Sequence, residues 1–189
     1  ALTLQHNTNK LVSLSNDLYQ TENIQWLRGV GDPVSQYTHK VEVGKSFGEI
    51  YSLKAVGVSE ATGLFLIENP ATGQVAEFYQ EMRDDRDGWY QRMGNGIPKV
   101  SMGWNNTFRY KNFDLALQAT GQFGFKIINQ QRVFYENNAH AYNKLKSAAD
   151  KIGGIRSLSA QQVQAVTSYY IEDGDYFKLT NMTLGYTFD

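Results

Sequence analysis

Two long runs of alternating residues meet at a two-residue turn between residues 100 and 129. In the first run every second residue except Asn106 is apolar, and these positions are Val100, Met102, Trp104, Phe108 and Tyr110. In the second run the apolar or small positions are Phe113, Leu115, Leu117, Ala119, Gly121, Phe123, Phe125 and Ile127. Successive side chains of a strand point to opposite faces, so this period of two predicts a β-hairpin with one apolar and one polar face.

The length of the two runs and the placement of their aromatic residues indicate a membrane hairpin. A strand needs about 9–11 tilted residues to cross a bilayer, whereas strands of soluble proteins average about 5–6 residues. Aromatic residues lie at both ends of the hairpin, as girdles at two membrane interfaces would. Those at the turn are Phe108, Tyr110 and Phe113, and those near the other end are Phe123 and Phe125. The alternative is a hairpin of a soluble β-sandwich, because such sheets also alternate.

Composition excludes several other classes of protein. The chain of 189 residues is long enough for one domain, yet apolar stretches such as residues 64–67 are far shorter than the ~20 residues of a transmembrane helix. It has no cysteine, hence no disulfide framework and no thiolate metal site. Eighteen basic residues balance nineteen acidic ones without a Lys/Arg run, which argues against a nucleic-acid partner.

Both ends of the sequence have the character of internal positions. Ala1 is followed directly by strand-like sequence, without the basic and apolar regions of a signal peptide, and the last residues lie in an alternating segment. We therefore expect the chain to be part of a longer polypeptide.

Further strands are predicted on both sides of the hairpin, and two long loops separate them. The predicted strands are about 1–14, 41–55, 99–111, 113–129 and 176–189, and the predicted loops are about 57–97 and 129–175. The first loop is expected to carry a small hairpin, and the second two short helices, 139–150 and 159–170, the latter capped by Ser159.

The last predicted strand changes phase near Thr180. Phe177 and Leu179 fall on odd positions, whereas the apolar residues from Met182 onward fall on even positions. An irregularity in the strand is therefore expected at this point.

One tight turn between two elaborate loops is typical of bacterial outer-membrane barrels, which have short periplasmic turns and long extracellular loops. On that rule the turn at Lys111 and Asn112 is periplasmic, and the loops 57–97 and 129–175 are extracellular. A sandwich gives no reason for this asymmetry.

Four motifs occur in order along the chain. They are residues 7–11 (NTNKL), 43–48 (VGKSFG), 96–115 (GIPKVSMGWNNTFRYKNFDL) and 173–186 (DGDYFKLTNMTLGY). Together they resemble motifs of SusC/RagA-type TonB-dependent outer-membrane transporters. Residues 68–73 depart from the resemblance, because ENPATG stands where many members have an acidic, glycine-spaced stretch. We therefore expect neither a cation-binding nor a structural role of that kind there.

The resemblance implies an all-β fold, namely an antiparallel transmembrane β-barrel of about 22 strands closed by an N-terminal plug. This chain would form roughly the last quarter of the barrel without its final strands. The resemblance also implies a location in the bacterial outer membrane and the import of oligosaccharides or oligopeptides. Implied partners are a SusD-like surface lipoprotein that caps the barrel, TonB acting through the absent plug, the remaining barrel segments and outer-membrane lipid. No cofactor is implied.

Acidic residues cluster twice in the predicted loops, at 84–87 and 172–175. Such clusters form turns and ion pairs more often than catalytic pairs, and no nucleophile or metal motif accompanies them. The three histidines are scattered without ligand spacing. We therefore predict neither an enzyme nor a metal site.

Candidate substrate contacts lie in or beside the predicted extracellular loops, where aromatic, amide and guanidinium groups suit sugar stacking or peptide recognition. They are Tyr79, Trp89, Tyr90, Asn129, Arg132 and Tyr135. Loop packing is the alternative for each of them. The predicted lumen-facing residues are Gln118, Thr120, Gln122 and Lys126, and the predicted lipid-facing residues are Trp104, Phe108, Leu115, Leu117 and Leu184.

The sequence thus predicts part of an outer-membrane active transporter. The alternative is a soluble β-sandwich module that binds a ligand or acts on carbohydrate. The two differ in what the apolar face of the hairpin contacts, which is lipid in the first case and a second sheet in the other.

Overall fold

The computed structural model describes residues 1–32, 34–136, 143–150 and 165–188. Antiparallel strands dominate these residues, and the helices are short. The strands are β1 (Leu2–His6), β2 (Ile24–Val30), β3 (Gln36–Glu42), β4 (Glu49–Leu53), β5 (Ala55–Val58), β6 (Phe65–Glu68), β7 (Val75–Glu77), β8 (Tyr90–Asn95), β9 (Val100–Tyr110), β10 (Phe113–Phe123), β11 (Lys126–Ile128), β12 (Ile171–Asp173) and β13 (Tyr176–Tyr186). The α-helices are α1 (Gln80–Asp84), α2 (Arg86–Trp89) and α3 (Gln130–Tyr135).

Among the described residues, no helix combines the length and the apolar character needed to cross a membrane.

The long strands form one four-stranded sheet in the order β1-β9-β10-β13, which we call the long-stranded sheet. Three of its strands have 11 residues each, and all neighbours are antiparallel. A two-residue turn joins β9 to β10, with Lys111 at φ 51°. Tight hairpin turns require this left-handed conformation because it matches the twist of the strands they connect.

A β-bulge at Thr180 explains the phase change in the last strand. Gln118 pairs with Asn181, but the next residue, Ala119, pairs with Leu179, so Thr180 is one extra residue in β13. The Thr180 hydroxyl donates a hydrogen bond to the carbonyl oxygen of Gln118 at 3.0 Å. The bulge therefore brings Phe177 and Leu179 onto the same face as the apolar residues that follow.

Deletion of Thr180 is expected to leave both faces of the long-stranded sheet unchanged. Thr180 is the extra residue, so after its deletion Leu179 would directly precede Asn181, and Lys178 and Tyr176 would stay on the polar face. We expect the free energy of unfolding to change by no more than about 1 kcal/mol, the worth of the hydrogen bond that is lost. The measurement is the urea midpoint of the heat-modifiable gel band of the full-length protein. A conservative Thr180→Ser control should behave as wild type, and a large loss of stability in the deletion variant would contradict the role given to the bulge.

The remaining strands build a second unit, which we call the loop unit. Its residues lie in the two connections that link β1 to β9 and β10 to β13. It contains a four-stranded sheet in the order β2-β3-β4-β8, a three-stranded sheet in the order β5-β6-β7, and the pair β11-β12. An isolated parallel bridge links Leu53 to Thr167, and so connects the segment before β9 with the segment after β10.

The loop unit has its own hydrophobic core. The buried core residues are Val30, Val34, Leu53, Phe65, Ile67, Phe78, Met82, Tyr90, Val133, Ala165, Val166 and Tyr170. These residues come from both of the long connections, 7–99 and 124–175, so the two connections fold together instead of forming independent loops. Shared burial of this kind is the main stabilising contribution in a small core.

Polar side chains also lie in this core, and Gln36 shows how they are accommodated. Its Nε2 donates to the Tyr90 hydroxyl at 2.9 Å and to the Val166 carbonyl at 3.0 Å. Its Oε1 accepts a hydrogen bond from the Val166 N–H at 2.7 Å. Every polar atom of the amide therefore has a partner, which offsets the cost of its burial.

Several element bounds differ from the prediction. The predicted strand 1–14 ends at residue 6, and the predicted strand 41–55 is two strands separated by a turn, in which Gly44 and Gly48 have φ of 91° and 88°. Positive φ at both glycines interrupts the extended conformation. Neither β3 nor β4 belongs to the long-stranded sheet, since both pair within the loop unit.

The two helices predicted after residue 129 also differ from the structure. Residues 139–142 and 159–164, including Ser159, lie outside the described residues. The described remainder forms 3-10 turns at Lys146–Asp150 and Ser168–Tyr170, while the α-helix lies earlier, at Gln130–Tyr135. The small hairpin expected in the first loop matches β6 and β7.

Candidate functional site

The long-stranded sheet has one apolar face, which is interrupted by Asn106 opposite Leu117. Leu115 lies directly opposite Phe108 on one side and Leu184 on the other, and directly paired residues share a face. By the same register, Ala119 pairs with Trp104 and Leu117 pairs with Met182. The structure therefore brings all five predicted lipid-facing residues onto one surface, which we call the apolar face. They are Trp104, Phe108, Leu115, Leu117 and Leu184.

Much of the apolar face is exposed in this chain. Leu184 is 70% exposed and Met182 is 65% exposed, and Leu4 on β1 is also 65% exposed. The other exposed large apolar residues of this face are Leu2, Phe108, Tyr110, Phe113, Phe177, Leu179 and Tyr186. Soluble monomers rarely expose an apolar surface of this extent, so it requires a cover.

The opposite face of the same sheet is polar. Gln118 pairs with Asn105 and Asn181, and Thr120 pairs with Gly103 and Lys178. Gln122, at the same parity, pairs with Ser101 and Tyr176. Three of the four predicted lumen-facing residues therefore share this polar face.

Lys126, the fourth predicted lumen-facing residue, lies outside the long-stranded sheet. It belongs to β11, beyond a break at Gly124, where φ is 78°. Its Nζ forms an ion pair with Asp173 at 2.6 Å. The alternation predicts a strand that continues through residue 129. The positive φ of Gly124 interrupts the extended conformation, so β10 ends at Phe123.

Aromatic residues concentrate at the turn end of the apolar face. The ring centroids of Phe113 and Tyr186 are 4.7 Å apart, and those of Tyr186 and Phe188 are 4.8 Å apart. Tyr110, opposite Phe113, is 72% exposed. This cluster has the composition of an aromatic girdle at a membrane interface.

In the loop unit, two of the predicted contact residues belong to an ion-pair network. Arg132 donates to Glu136 and to Glu172, each at 2.6 Å, and its guanidinium lies 4.6 Å from the ring centroid of Tyr169. Asn129 begins α3 by accepting a hydrogen bond from the Arg132 N–H, and its Nδ2 donates to Glu172. Both residues therefore hold the segment around α3 against β12.

This network sets the pKa values of its carboxyl groups. Burial acts most strongly on Glu136, in the direction of a raised pKa, but the hydrogen bonds from Arg132, Ser147 and Tyr169 and the charge of Arg132 outweigh it and lower the pKa. The pKa of Glu172 is lowered, mainly by hydrogen bonds from Arg132 and Asn129. Hydrogen bonds to Glu136 and Glu172 raise the pKa of Arg132, against the effect of burial. All three groups are thus held in their charged forms.

Acidification is expected to loosen α3. Both carboxyls have lowered pKa values in the folded state, so their stabilising contribution is present above the ordinary glutamate pKa of about 4.3 and is lost as the pH falls through the folded values. Hydrogen exchange of residues 130–136, corrected for the intrinsic rate, measures this opening. Arg132→Gln should weaken protection at pH 7 and remove most of its pH dependence, whereas an unchanged dependence would contradict the network.

The predicted aromatic contacts occupy different environments. Tyr79 and Trp89 pack edge to face with centroids 5.9 Å apart, and Tyr79 is 44% exposed, as is Tyr135. Tyr90 is buried in the core instead, and burial raises its pKa. Tyr90 thus supports the loop unit from inside, whereas Tyr79 and Tyr135 lie at its surface and Trp89 is partly buried against the core.

A ladder of cations and aromatic rings crosses the β2-β3-β4-β8 sheet, and no local sequence pattern predicts it. The Arg86 guanidinium lies 4.7 Å from the Tyr37 ring centroid and 5.6 Å from that of Trp26. Lys40 lies 5.7 Å from the Trp26 ring and 5.6 Å from that of Tyr51. Such contacts contribute about 0.5–2 kcal/mol each. Arg86 begins α2 and Trp89 ends it, so the ladder anchors the helix that presents Trp89.

Glu136 and Tyr169 were also missed as members of the network around Arg132. The spacing of Arg132 and Glu136, four residues apart, was the available signal, since residues at this spacing are neighbours on a helix. The position of Tyr169 depends on a pairing distant in sequence and left no local signal.

Comparisons with known proteins agree with the architecture. No family model matches the chain. TonB-dependent receptor P3 of Formosa agariphila is 25% identical over 202 residues, which cover 98% of this chain and 19% of the receptor. The RagAB peptide importer in the closed-closed state superposes with a TM-score of 0.68 and 18% identity, covering 98% of this chain and 20% of that one. A structure of the RagAB peptide transporter gives 0.65 and 20%, covering 87% and 18%.

These similarities confirm the predicted fold class and the predicted location in the bacterial outer membrane. The relatives are a receptor and a peptide transporter, not enzymes. The chain spans about a fifth of the length of each of them. In sequence the chain is thus similar to a TonB-dependent receptor, and in fold it is similar to about one fifth of a RagAB transporter chain.

Proposed function

We propose that this chain forms part of an outer-membrane importer of oligopeptides or oligosaccharides. The long-stranded sheet would be a section of the barrel wall, with the apolar face toward lipid and the polar face toward the lumen. The loop unit would lie on the extracellular side, where a SusD-like lipoprotein would cap the barrel. TonB would supply the energy through a plug that these 189 residues do not include.

The exposed apolar face of the long-stranded sheet is the observation that carries this proposal. Burial of one large apolar side chain is worth about 1.5–3 kcal/mol, so a face with this many exposed ones is unfavourable in water. In a bilayer the same face is favourable, and strands of 11 residues are long enough to cross. The similarity to TonB-dependent transporters supports the same placement.

A soluble sandwich would need a second sheet about 10 Å from the apolar face. Within the described ranges, the other sheets contribute their apolar residues to the core of the loop unit instead. No observation therefore favours a carbohydrate-active or ligand-binding module of the sandwich type.

For substrate contact we propose three aromatic residues of the loop unit, namely the exposed Tyr79 and Tyr135 and the partly buried Trp89. Aromatic rings with an accessible face suit both sugar rings and peptide side chains. Asn129 and Arg132 would act indirectly, because their polar groups bind within the loop unit and position Tyr135 at the end of α3.

The test is uptake by intact bacteria that carry or lack the full-length protein. Fluorescent oligopeptides and oligosaccharides are supplied separately, with and without an uncoupler of the proton gradient. We expect one substrate class to accumulate only in cells that have both the protein and the gradient. Uptake that is the same without the protein, or a protein that does not fractionate with the outer membrane, would refute the proposal.

A further inference from the structure

A cavity of about 390 Å³ lies where the long-stranded sheet meets the loop unit. Its walls come from the end of β1 and residues 7–9, from the turn at Ser46, and from the β8–β9 junction between Arg92 and Lys99. Three segments distant in sequence thus converge on one space. The cavity is separate from the proposed substrate contacts, none of which lines it.

The amide side chains of the cavity wall form a fixed frame. Asn9 Oδ1 accepts hydrogen bonds from the Ser46 hydroxyl at 2.9 Å and from the Phe47 N–H at 2.7 Å. Asn95 Nδ2 donates to the Ser46 hydroxyl and to the Phe47 carbonyl, while its Oδ1 accepts from the Ile97 N–H. Both amides bind the turn at Ser46 and Phe47, so they hold the three wall segments together and fix the shape of the cavity.

The basic side chains of the cavity wall have N–H donors that no group in the described part of the chain uses. Arg92 uses its Nε on Glu49 at 2.9 Å, but its side chain is 51% exposed and a guanidinium has five N–H donors. Within the described part of the chain, the side chains of Lys99 and His6 have no hydrogen bond or ion pair. Glu49 is buried behind Arg92 and does not line the cavity. The cavity is therefore rich in donors and positively charged, which suits an anion with several acceptor oxygens.

The register places this cavity at the end of the apolar face. His6 pairs with Val100 and continues the parity of Leu2 and Leu4, whereas Lys99 has the opposite parity. The cavity therefore lies at the end of the long-stranded sheet opposite the β9–β10 turn. If the sheet spans the membrane as proposed above, this end is at the extracellular interface, where the phosphate groups of lipids lie.

We propose that the cavity binds the phosphate group of a membrane lipid, with Lys99 and Arg92 as the main donors and His6 at its lipid side. This inference rests on the proposed function, because only a membrane-spanning sheet brings lipid to this end of the strands. A soluble phosphate compound has the same chemistry. The lipid is favoured because His6 directly follows the exposed apolar residues Leu2 and Leu4 on the same face.

The experiment uses the full-length protein in a phosphate-free detergent. Short-chain phosphatidic acid and inorganic phosphate are titrated separately by calorimetry, and folding of each sample is checked by the heat-modifiable gel shift. The variants are Arg92→Gln and Lys99→Gln, with Lys10→Gln as a nearby exposed control that does not line the cavity.

We expect phosphatidic acid to bind at least about tenfold more tightly than inorganic phosphate. Each cavity variant should weaken binding by about tenfold or more, as loss of a charge-assisted contact does, and Lys10→Gln should leave it unchanged. Equal or tighter binding of inorganic phosphate would overturn the lipid source, and equal binding by all variants would overturn the site. A wild-type protein without a gel shift would instead refute the proposed barrel.

Discussion

Leu117→Arg is expected to destabilise the folded full-length protein by about 2–4 kcal/mol, as cations at the bilayer midplane do on the lipid face of a barrel. Leu117 lies in the middle of β10, where it pairs with Asn106 on β9 and with Met182 on β13. Leu117 thus has a strand on each side and lies far from both ends of β10. The new guanidinium would have to extend along several residues of the apolar face to reach water.

Gln118→Arg is the matched control for this substitution. Gln118 is the next residue of the same strand, and it lies on the polar face beside Asn105 and Asn181. The same side chain there should change the free energy of unfolding by no more than about 0.5 kcal/mol. Reversible unfolding by urea in phospholipid vesicles provides the measurement. Similar costs at the two positions would mean that both faces meet the same medium.

Leu53→Ala is expected to cost the loop unit about 2–5 kcal/mol, the range found when a fully buried leucine is truncated. Leu53 is completely buried at the end of β4 and forms the bridge to Thr167. Since the core joins the connections 7–99 and 124–175, the cavity left by the missing atoms should loosen both.

Hydrogen exchange separates this effect from a general loss of folding. Leu53→Ala should increase exchange in β4 and also around residues 165–170, while the long-stranded sheet keeps its protection. Leu27→Ala removes the same atoms from a side chain that is 47% exposed, so it should cost no more than about 0.5 kcal/mol. Increased exchange confined to β4 would show that the two connections fold independently.

The long-stranded sheet was predictable because its strands are regular over many residues. The alternation placed β9 within one residue of its observed bounds and predicted the start of β10, but it extended β10 from Phe123 to residue 129. The parity of Phe177 and Leu179 located the bulge at Thr180. A face that meets lipid must be apolar along most of its length. The pattern therefore persists over many residues, with Asn106 as its exception, and requires no knowledge of distant partners.

The loop unit was not predictable by the same argument. Strand β3 buries Gln36 and Thr38, so its inward positions are polar and the period of two is absent from the sequence. Gln36 is satisfied only by Tyr90 and Val166, which are far away in the chain. Hydrogen bonds between distant segments leave no local signal, and the same holds for the bond from Tyr169 to Glu136.

The candidate site was predictable in part for the same reason. The positions of Leu115, Leu117, Gln118 and Thr120 followed from strand parity alone. The roles of Asn129 and Arg132 did not, because Glu172, which binds both, lies across a pairing of β11 with β12.

A cysteine scan of β10 tests the central claim most directly, since these 189 residues contain no cysteine of their own. Single cysteines replace Leu115, Leu117, Gln118 and Thr120 in the full-length protein, and intact outer-membrane vesicles are treated with a small, membrane-impermeant maleimide. We predict labelling at 118 and 120 through the aqueous lumen and protection at 115 and 117 by lipid. Equal labelling at all four positions would show that the apolar face does not meet the bilayer.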